Sequence, residues 1–205
     1  MKGEEVRSAL ARATSRAERL LWLAAMLRTE TGGRVVVVGG SAIEVYTSDA
    51  YVSADLDLVG DRDRLIDTLE RWGFKKSGRL WSTAALEVWV DPVGSTYDGD
   101  QARLGEVVTP FGPVQLASVE DLIGKRLIEA KVWPGSSVWA FDQAMMLAAE
   151  FEKDMDWEYT TKVASREGAG DLVPELRRRL RRRARASGPP GPKRRARHSR
   201  DGQVD

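Results

Sequence analysis

The sequence predicts an α/β protein of the α+β kind, with helices flanking a sheet and a basic extension at the end. Three observations carry that prediction. Val35-Val36-Val37-Val38 is an unbroken β-branched run, as expected of a strand buried on both faces. The segments before and after it repeat their apolar residues with a 3.6-residue rhythm. Leu86 to Asp91 alternates apolar and polar residues instead, which is the period of a half-buried strand.

From Glu4 to Thr29 apolar residues recur at Val6, Leu10, Ala13, Ala17, Leu20, Leu21, Ala24 and Leu27, predicting one long helix stopped by Gly32-Gly33. Arg34–Val38 is the first strand. Ser41 is a good N-cap for a short helix ending near Thr47, and Asp49–Val52 is a loop. Ala54–Gly60 is the second strand. Asp63–Trp72 is an amphipathic helix closed by Gly73. Phe74–Trp81 reads as a hairpin arm turning at Ser77-Gly78, and Leu86–Asp91 as a third strand stopped by Pro92. Tyr97–Ala102 is a polar loop. Glu106–Leu116 forms a second hairpin around Thr109-Pro110-Phe111-Gly112-Pro113. Ser118, with Asp121 three residues on, opens a helix that runs to about Lys131. Pro134-Gly135-Ser136 separates it from another over Ser137–Lys153, and Asp156–Ser165 is a further helical segment. Glu175–Ala186 has helical propensity opposed by repulsion within Arg177–Arg179 and Arg181–Arg183. Ser187–Asp205, rich in Pro, Gly and Arg, is expected to be disordered.

The expected organisation is an N-terminal helix over 1–33 packing on a core at 34–117, a helical region at 118–173 and a basic, disordered tail at 174–205. The chain of 205 residues suits one domain plus a tail, and its 42% apolar content suffices for a core. The net charge of +1 hides two unlike parts. From Pro174 onward there are 12 basic and 3 acidic residues; the remainder has 20 basic and 28 acidic. With no cysteine, disulfides, zinc–thiolate sites and thiol catalysis are excluded. The one histidine, His198, lies in the basic tail, which argues against Ser-His-Asp catalysis and histidine metal sites. Carboxylates must carry any acid–base or metal chemistry. No apolar run approaches membrane-spanning length and no signal peptide is recognisable, so a cytoplasmic location without membrane attachment is expected. The absence of asparagine together with 31% charged residues suggests a hot-living source, and a GC-rich genome would give a similar bias.

Asp55-Leu56-Asp57 is the most informative element. Carboxylates at i and i+2 of a strand share a face, and like charges held that close are usually tolerated around a cation. Upstream, the valine strand runs through Gly39-Gly40-Ser41 into a helix N-terminus, whose free N–H groups can hold a phosphate. A phosphate cradle beside paired metal-binding carboxylates is what phosphoryl or nucleotidyl transfer needs.

In this pattern, Val38-Gly39-Gly40-Ser41, thirteen residues and then Asp55-Leu56-Asp57, the chain resembles the DNA polymerase β-like nucleotidyltransferase superfamily. The context Val52 to Val59, and Pro113 to Lys125 with its Ser118-Val119-Glu120-Asp121-Leu122-Ile123 core, resemble small prokaryotic members described as minimal or AbiEii-toxin-like nucleotidyltransferases. The resemblance covers about 34–150. It implies a mixed-sheet nucleotidyltransferase fold and transfer of a nucleoside monophosphate from an NTP to an RNA or protein hydroxyl, tRNA among the candidates. It implies two Mg²⁺ ions, with Mn²⁺ as an alternative, held by Asp55, Asp57 and a third carboxylate. Glu87 best matches the family position, and Asp91, four residues on and expected on the same face, is the alternative. Gly39, Gly40 and Ser41 are expected to bind nucleotide phosphates, with Lys125 as a point charge on the triphosphate. The toxin-like members imply a toxin–antitoxin or defence setting.

Each reading has a plainer rival. Asp-x-Asp can cap a turn, Gly39-Gly40 can simply allow a tight bend, and Lys125 can be a solvated side chain. The tryptophans are expected mainly in core or interface, except Trp89, which can stack on a nucleobase. The arginine tail suits nonspecific nucleic-acid binding. A catalytically inactive nucleotidyltransferase-fold protein binding nucleic acid or a protein partner is the alternative function. An antitoxin that modifies a partner toxin is a third. The oligomeric state is left open.

Overall fold

The structure is a computed structural model that describes residues 1–48, 50–133, 135 and 137–186. In chain order its elements are α1 (Gly3–Leu10), α2 (Arg16–Thr31), β1 (Val35–Val37), α3 (Gly39–Tyr46), β2 (Leu56–Gly60), α4 (Arg62–Arg71), β3 (Lys75–Ser77) and β4 (Leu80–Thr83). They continue with β5 (Val88–Gly94), β6 (Gly105–Thr109), β7 (Gly112–Leu116), α5 (Val119–Val132), α6 (Ser137–Glu150), α7 (Trp157–Arg166) and α8 (Val173–Ala186). The strands form one mixed sheet in the order β3-β4-β5-β2-β1-β7-β6. The α/β class expected from the valine run and the alternating periodicities is therefore present, as a mixed sheet flanked by helices.

Strand β1 lies inside the sheet, antiparallel to β2 and parallel to β7, which explains why its valines are buried on both faces. β2 and β5 run parallel, joined by a crossover made of α4 and the β3–β4 hairpin. Helix α2 packs on β1 and β7, and against α4, with Leu20, Leu23 and Leu27 turned into the core. Among the described residues no helix is long and apolar enough to cross a membrane.

Three local expectations are corrected. The long N-terminal helix is two helices, broken at residues 11–15. Ser15 caps α2 by accepting the amide of Glu18, and the Glu18 carboxylate accepts from the Thr14 amide and hydroxyl. That reciprocal cap overrides the continuous apolar rhythm. Pro92 does not stop the third strand, because β5 continues to Gly94. β4 pairs only as far as Val90, so the proline nitrogen faces no ladder partner on that side. The pairing with β2 also shifts register just there, between Leu58 and Val59. Finally, residues 174–186, assigned to the disordered tail, belong to helix α8.

Helix α8 forms because its larger apolar side chains, Val173, Leu176 and Leu180, are buried, each contributing about 1.5–3 kcal/mol. Its cations are spread over different partners. Glu175 pairs with Arg178 and with Arg179 at 2.7 Å, Arg177 stacks over Trp157, and Arg179 lies over Phe141. The disorder expected for 187–205 concerns residues outside those described, as do Asp49 at the start of the first loop and most of the break at 134–136. Leu176→Ala should lower unfolding free energy by about 2–5 kcal/mol, measured by urea denaturation. Arg182→Ala, on the exposed side, should stay within about 0.5 kcal/mol of the parent.

Candidate active site

Asp57 on β2 and Asp91 on β5 are direct register partners across the parallel pair, so their side chains emerge side by side from one face. Asp55 stands one residue before β2. One carboxylate oxygen from each of the three lies within 4.8 Å of the others. Three hard oxygen donors converging at that spacing fit a divalent cation such as Mg²⁺. Asp91 is 5% exposed, so its charge is sheltered by the sheet.

Glu87 stands outside this group. It has φ +49 in the turn before β5, and it is exposed. The expectation that Glu87 and Asp91 share a strand face is thereby corrected, since the alternation starts only at Val88. A left-handed residue resets the direction of the side chains before it.

Gly39 is required by the Asp57 carboxylate, and Gly40 by the segment that leads to Asp55. Gly39 has φ +59, and a Cβ there would collide with the Asp57 carboxylate. A Cβ on Gly40 would come within 2.7 Å of the Ser53 hydroxyl. The Gly40 amide donates to Asp57 Oδ2 at 3.2 Å. Ser41 is not the cap of α3. The helix begins at Gly39 with Val38 as its N-cap, and Ser41 is fully buried in the first turn. Its hydroxyl donates to the Val38 carbonyl at 3.0 Å and accepts the Asp57 amide at 3.1 Å. Ser41 therefore ties the start of α3 to the strand that carries Asp57.

A second brace was not read from the sequence. Glu44, buried in α3, accepts the Ser53 amide at 2.7 Å and pairs with Arg16 of α2. Arg16 also donates to the Ser53 and Ala54 carbonyls, so the approach to Asp55 is held from two helices. The available signal was a single acid between Ile43 and Val45 in an otherwise apolar helix.

Asp55 and Asp57 open into a cavity of about 710 Å³ lined by Gly39, Gly40, Lys125 and Arg126, among others. Lys125 reaches it but is held by Asp98 at 2.7 Å and Glu167 at 3.2 Å. Deeper in the wall, Tyr97 donates to Asp121 at 2.6 Å and Tyr159 to the other Asp121 oxygen. Burial and that hydrogen bond push the Tyr97 hydroxyl far up, keeping it a donor. Arg79, 75% exposed at the tip of the β3–β4 hairpin, contacts Asp91 at 3.0 Å and Asp55 at 3.5 Å. Its guanidinium answers part of the negative charge that a metal ion would otherwise meet.

Burial first, and then the neighbouring Asp55, push Asp57 up to about 7, against the opposing hydrogen bond from Gly40. Burial likewise raises Asp91, with Arg79 pulling the other way. These are the directions expected of acids taken out of water beside one another, with Arg79 offsetting only part of the effect.

No protein-family model matches the chain, and no curated protein matches it. Among solved structures it is similar to the antibiotic-resistance factor ANT(2″)-Ia in solution, at 19% identity over 91% of this chain and 96% of that one, with a TM-score of 0.43. It is also similar to ANT(2″)-Ia crystallised with adenylyl-2″-tobramycin, at 19% identity over 80% and 95%, with a TM-score of 0.39. At that depth of superposition, function has to be derived from the residues.

Two outcomes follow from the electrostatics. Asp57 has a folded-state pKa above its ordinary 3.8, so its ionisation opposes folding, negligibly below pH 4 and fully above pH 7. Asp57→Asn should therefore stabilise the metal-free protein at pH 8 by on the order of 1–3 kcal/mol and progressively less towards pH 4, and added Mg²⁺ should raise the Tm of the parent but not of this variant. Arg79→Ala should tighten Mn²⁺ binding at pH 8 about threefold, since an exposed pair competes only weakly; titration calorimetry without nucleotide reads this directly.

Proposed function

We propose that this protein is a metal-dependent nucleotidyltransferase, transferring a nucleoside monophosphate from an NTP to a hydroxyl of RNA or protein. The observation that carries the reading is the Asp57–Asp91 register pair with Asp55 beside it, opening onto a cavity bounded by the glycine-led start of α3. Carboxylates so placed suit Mg²⁺, or Mn²⁺ in its place. Bound by Asp55, Asp57 and Asp91, such ions supply neutralisation of the charge that builds on the leaving pyrophosphate.

The chain's own residues account for the rest. The Gly40 amide, which donates to Asp57, stands at the start of α3, where an anion is favoured. Arg126 lines the same cavity as a fixed cation, and Lys125 joins it on exchanging Asp98 and Glu167 for a phosphate. The attacking hydroxyl oxygen bonds to the α-phosphorus while the bond from that phosphorus to the β-phosphate bridging oxygen breaks. The electron pair leaves with pyrophosphate, and the hydroxyl proton passes to the Asp91 carboxylate. Resemblance of the Pro113–Lys125 segment to the small toxin-like members supports a toxin–antitoxin or defence setting.

Incubation with each labelled NTP, Mg²⁺ and total RNA or cell extract tests the reading. Transfer should fall at least about 100-fold in Asp57→Ala and Asp91→Asn and stay within about twofold in Glu87→Gln. Loss in the Glu87 variant with retention in Asp91→Asn would reverse the assignment of the third ligand. Absence of labelling from every NTP and extract would remove the enzymatic reading in favour of nucleic-acid or partner binding.

A further inference from the structure

Beside the carboxylates is a second hollow, of about 460 Å³, lined by Arg16, Val52, Ser53, Ala54, Leu80 and Trp89. It shares the Ser53–Ala54 wall with the larger cavity. Trp89 is 41% exposed and Val52 62% exposed, an unusual outlay of apolar surface next to a charged centre. On β5, Trp89, Asp91 and Val93 point to one face, with Val88 and Val90 buried on the other. Trp89 lines the smaller hollow and Val93 the larger, so Asp91 stands between the two.

The sheet register extends this face outward. Trp89 is opposite Ser82 on β4, and Ser82 is opposite Lys75 on β3. Directly opposed residues share a face, so aromatic, hydroxyl and ammonium form one row leading from the carboxylates to the sheet edge. Every residue of β3, Lys75-Lys76-Ser77, is exposed, and Arg79 follows at the hairpin tip. An aromatic platform flanked by cations on an open edge is the pattern that receives single-stranded nucleic acid, the ring stacking a base and the cations tracking phosphates.

In nucleotidyl transfer the attacking and leaving oxygens lie on opposite sides of the phosphorus. With the triphosphate at the α3 side, the acceptor has to arrive from the other side of Asp91, where Trp89 is. We propose that the Trp89 hollow and the Lys75–Ser82–Trp89 row form the acceptor subsite, taking the terminal nucleoside of a single-stranded nucleic acid. This rests on the nucleotidyltransferase reading and narrows its acceptor to a nucleic-acid end.

The test uses the full chain and two fluorescent single-stranded oligoribonucleotides, alike except that one is abasic at its 3′ terminus. Phosphate contacts, including any made by the arginine-rich tail, cannot tell the two apart. Anisotropy should show the parent preferring the intact end about tenfold. Trp89→Ala should erase the preference and Trp89→Phe should keep most of it. Lys75→Glu should weaken both oligonucleotides and reduce the salt slope by about one. A parent that does not distinguish the two ends overturns the proposal, as does a preference that survives Trp89→Ala, or selective labelling of proteins in the transfer assay. Mg²⁺-induced thermal stabilisation, followed in parallel, separates the two levels of inference. It should be unchanged in Trp89→Ala and absent in Asp57→Asn; if the parent lacks it while the terminal-base preference holds, the enzymatic reading fails and the binding site remains.

Discussion

Three carboxylates held within reach of one ion repel each other, and the rest of the site is arranged to keep them there. The parallel pairing of β2 with β5 sets Asp57 opposite Asp91, and no flexible loop intervenes to let them part. Ser41 fixes the Asp57 backbone to α3, while Arg16 and Glu44 hold the segment that leads to Asp55. Burial first, and the neighbouring Asp55 second, raise the Asp57 carboxyl to about 7, and Arg79 lies across Asp55 and Asp91. A framework that gives up stability to keep acids together is the ordinary signature of a site whose charge is completed by something that binds.

The architecture around that centre divides labour. The mixed sheet supplies register, and register is what places side chains to within a fraction of a residue spacing. The helices after the sheet supply the cavity wall: α5 contributes Lys125 and Arg126 and α6 contributes Trp139, while Tyr159 of α7 meets the wall residue Asp121 together with Tyr97. Helix α8 seals the outer side of α6 and α7 with two leucines while presenting arginines to solvent. The basic character of the C-terminal part therefore begins on a folded helix.

Much of this was legible in the sequence because the strongest signals are local. The valine run, the Ser118–Asp121 cap and the hairpin at Thr109–Gly112 each depend on neighbours a few residues away, and each lies where expected. Asp55 and Asp57 came from the same kind of short-range pattern. What escaped depended on tertiary partners. Whether Pro92 ends a strand is decided by how far β4 extends alongside it, and that is not a property of residues 86–94. Glu87 falls off the strand face because alternation begins only at Val88, after a left-handed turn that residue types alone do not reveal. Buried Glu44 acquires its purpose only from Arg16 and Ser53. Trp89 was a candidate for base stacking from the sequence, but its alignment with Ser82 and Lys75 depends on the sheet register.

The fit between Gly39 and Asp57 has an evolutionary corollary. The space that a methyl group would need at position 39 is already filled by the carboxylate, so neither position is free to drift without the other. Lengthening the acid by one methylene would press on the same backbone that a side chain at 39 would displace. Aspartate at 57 and glycine at 39 thus share one volume, and a substitution at either changes the room left to the other.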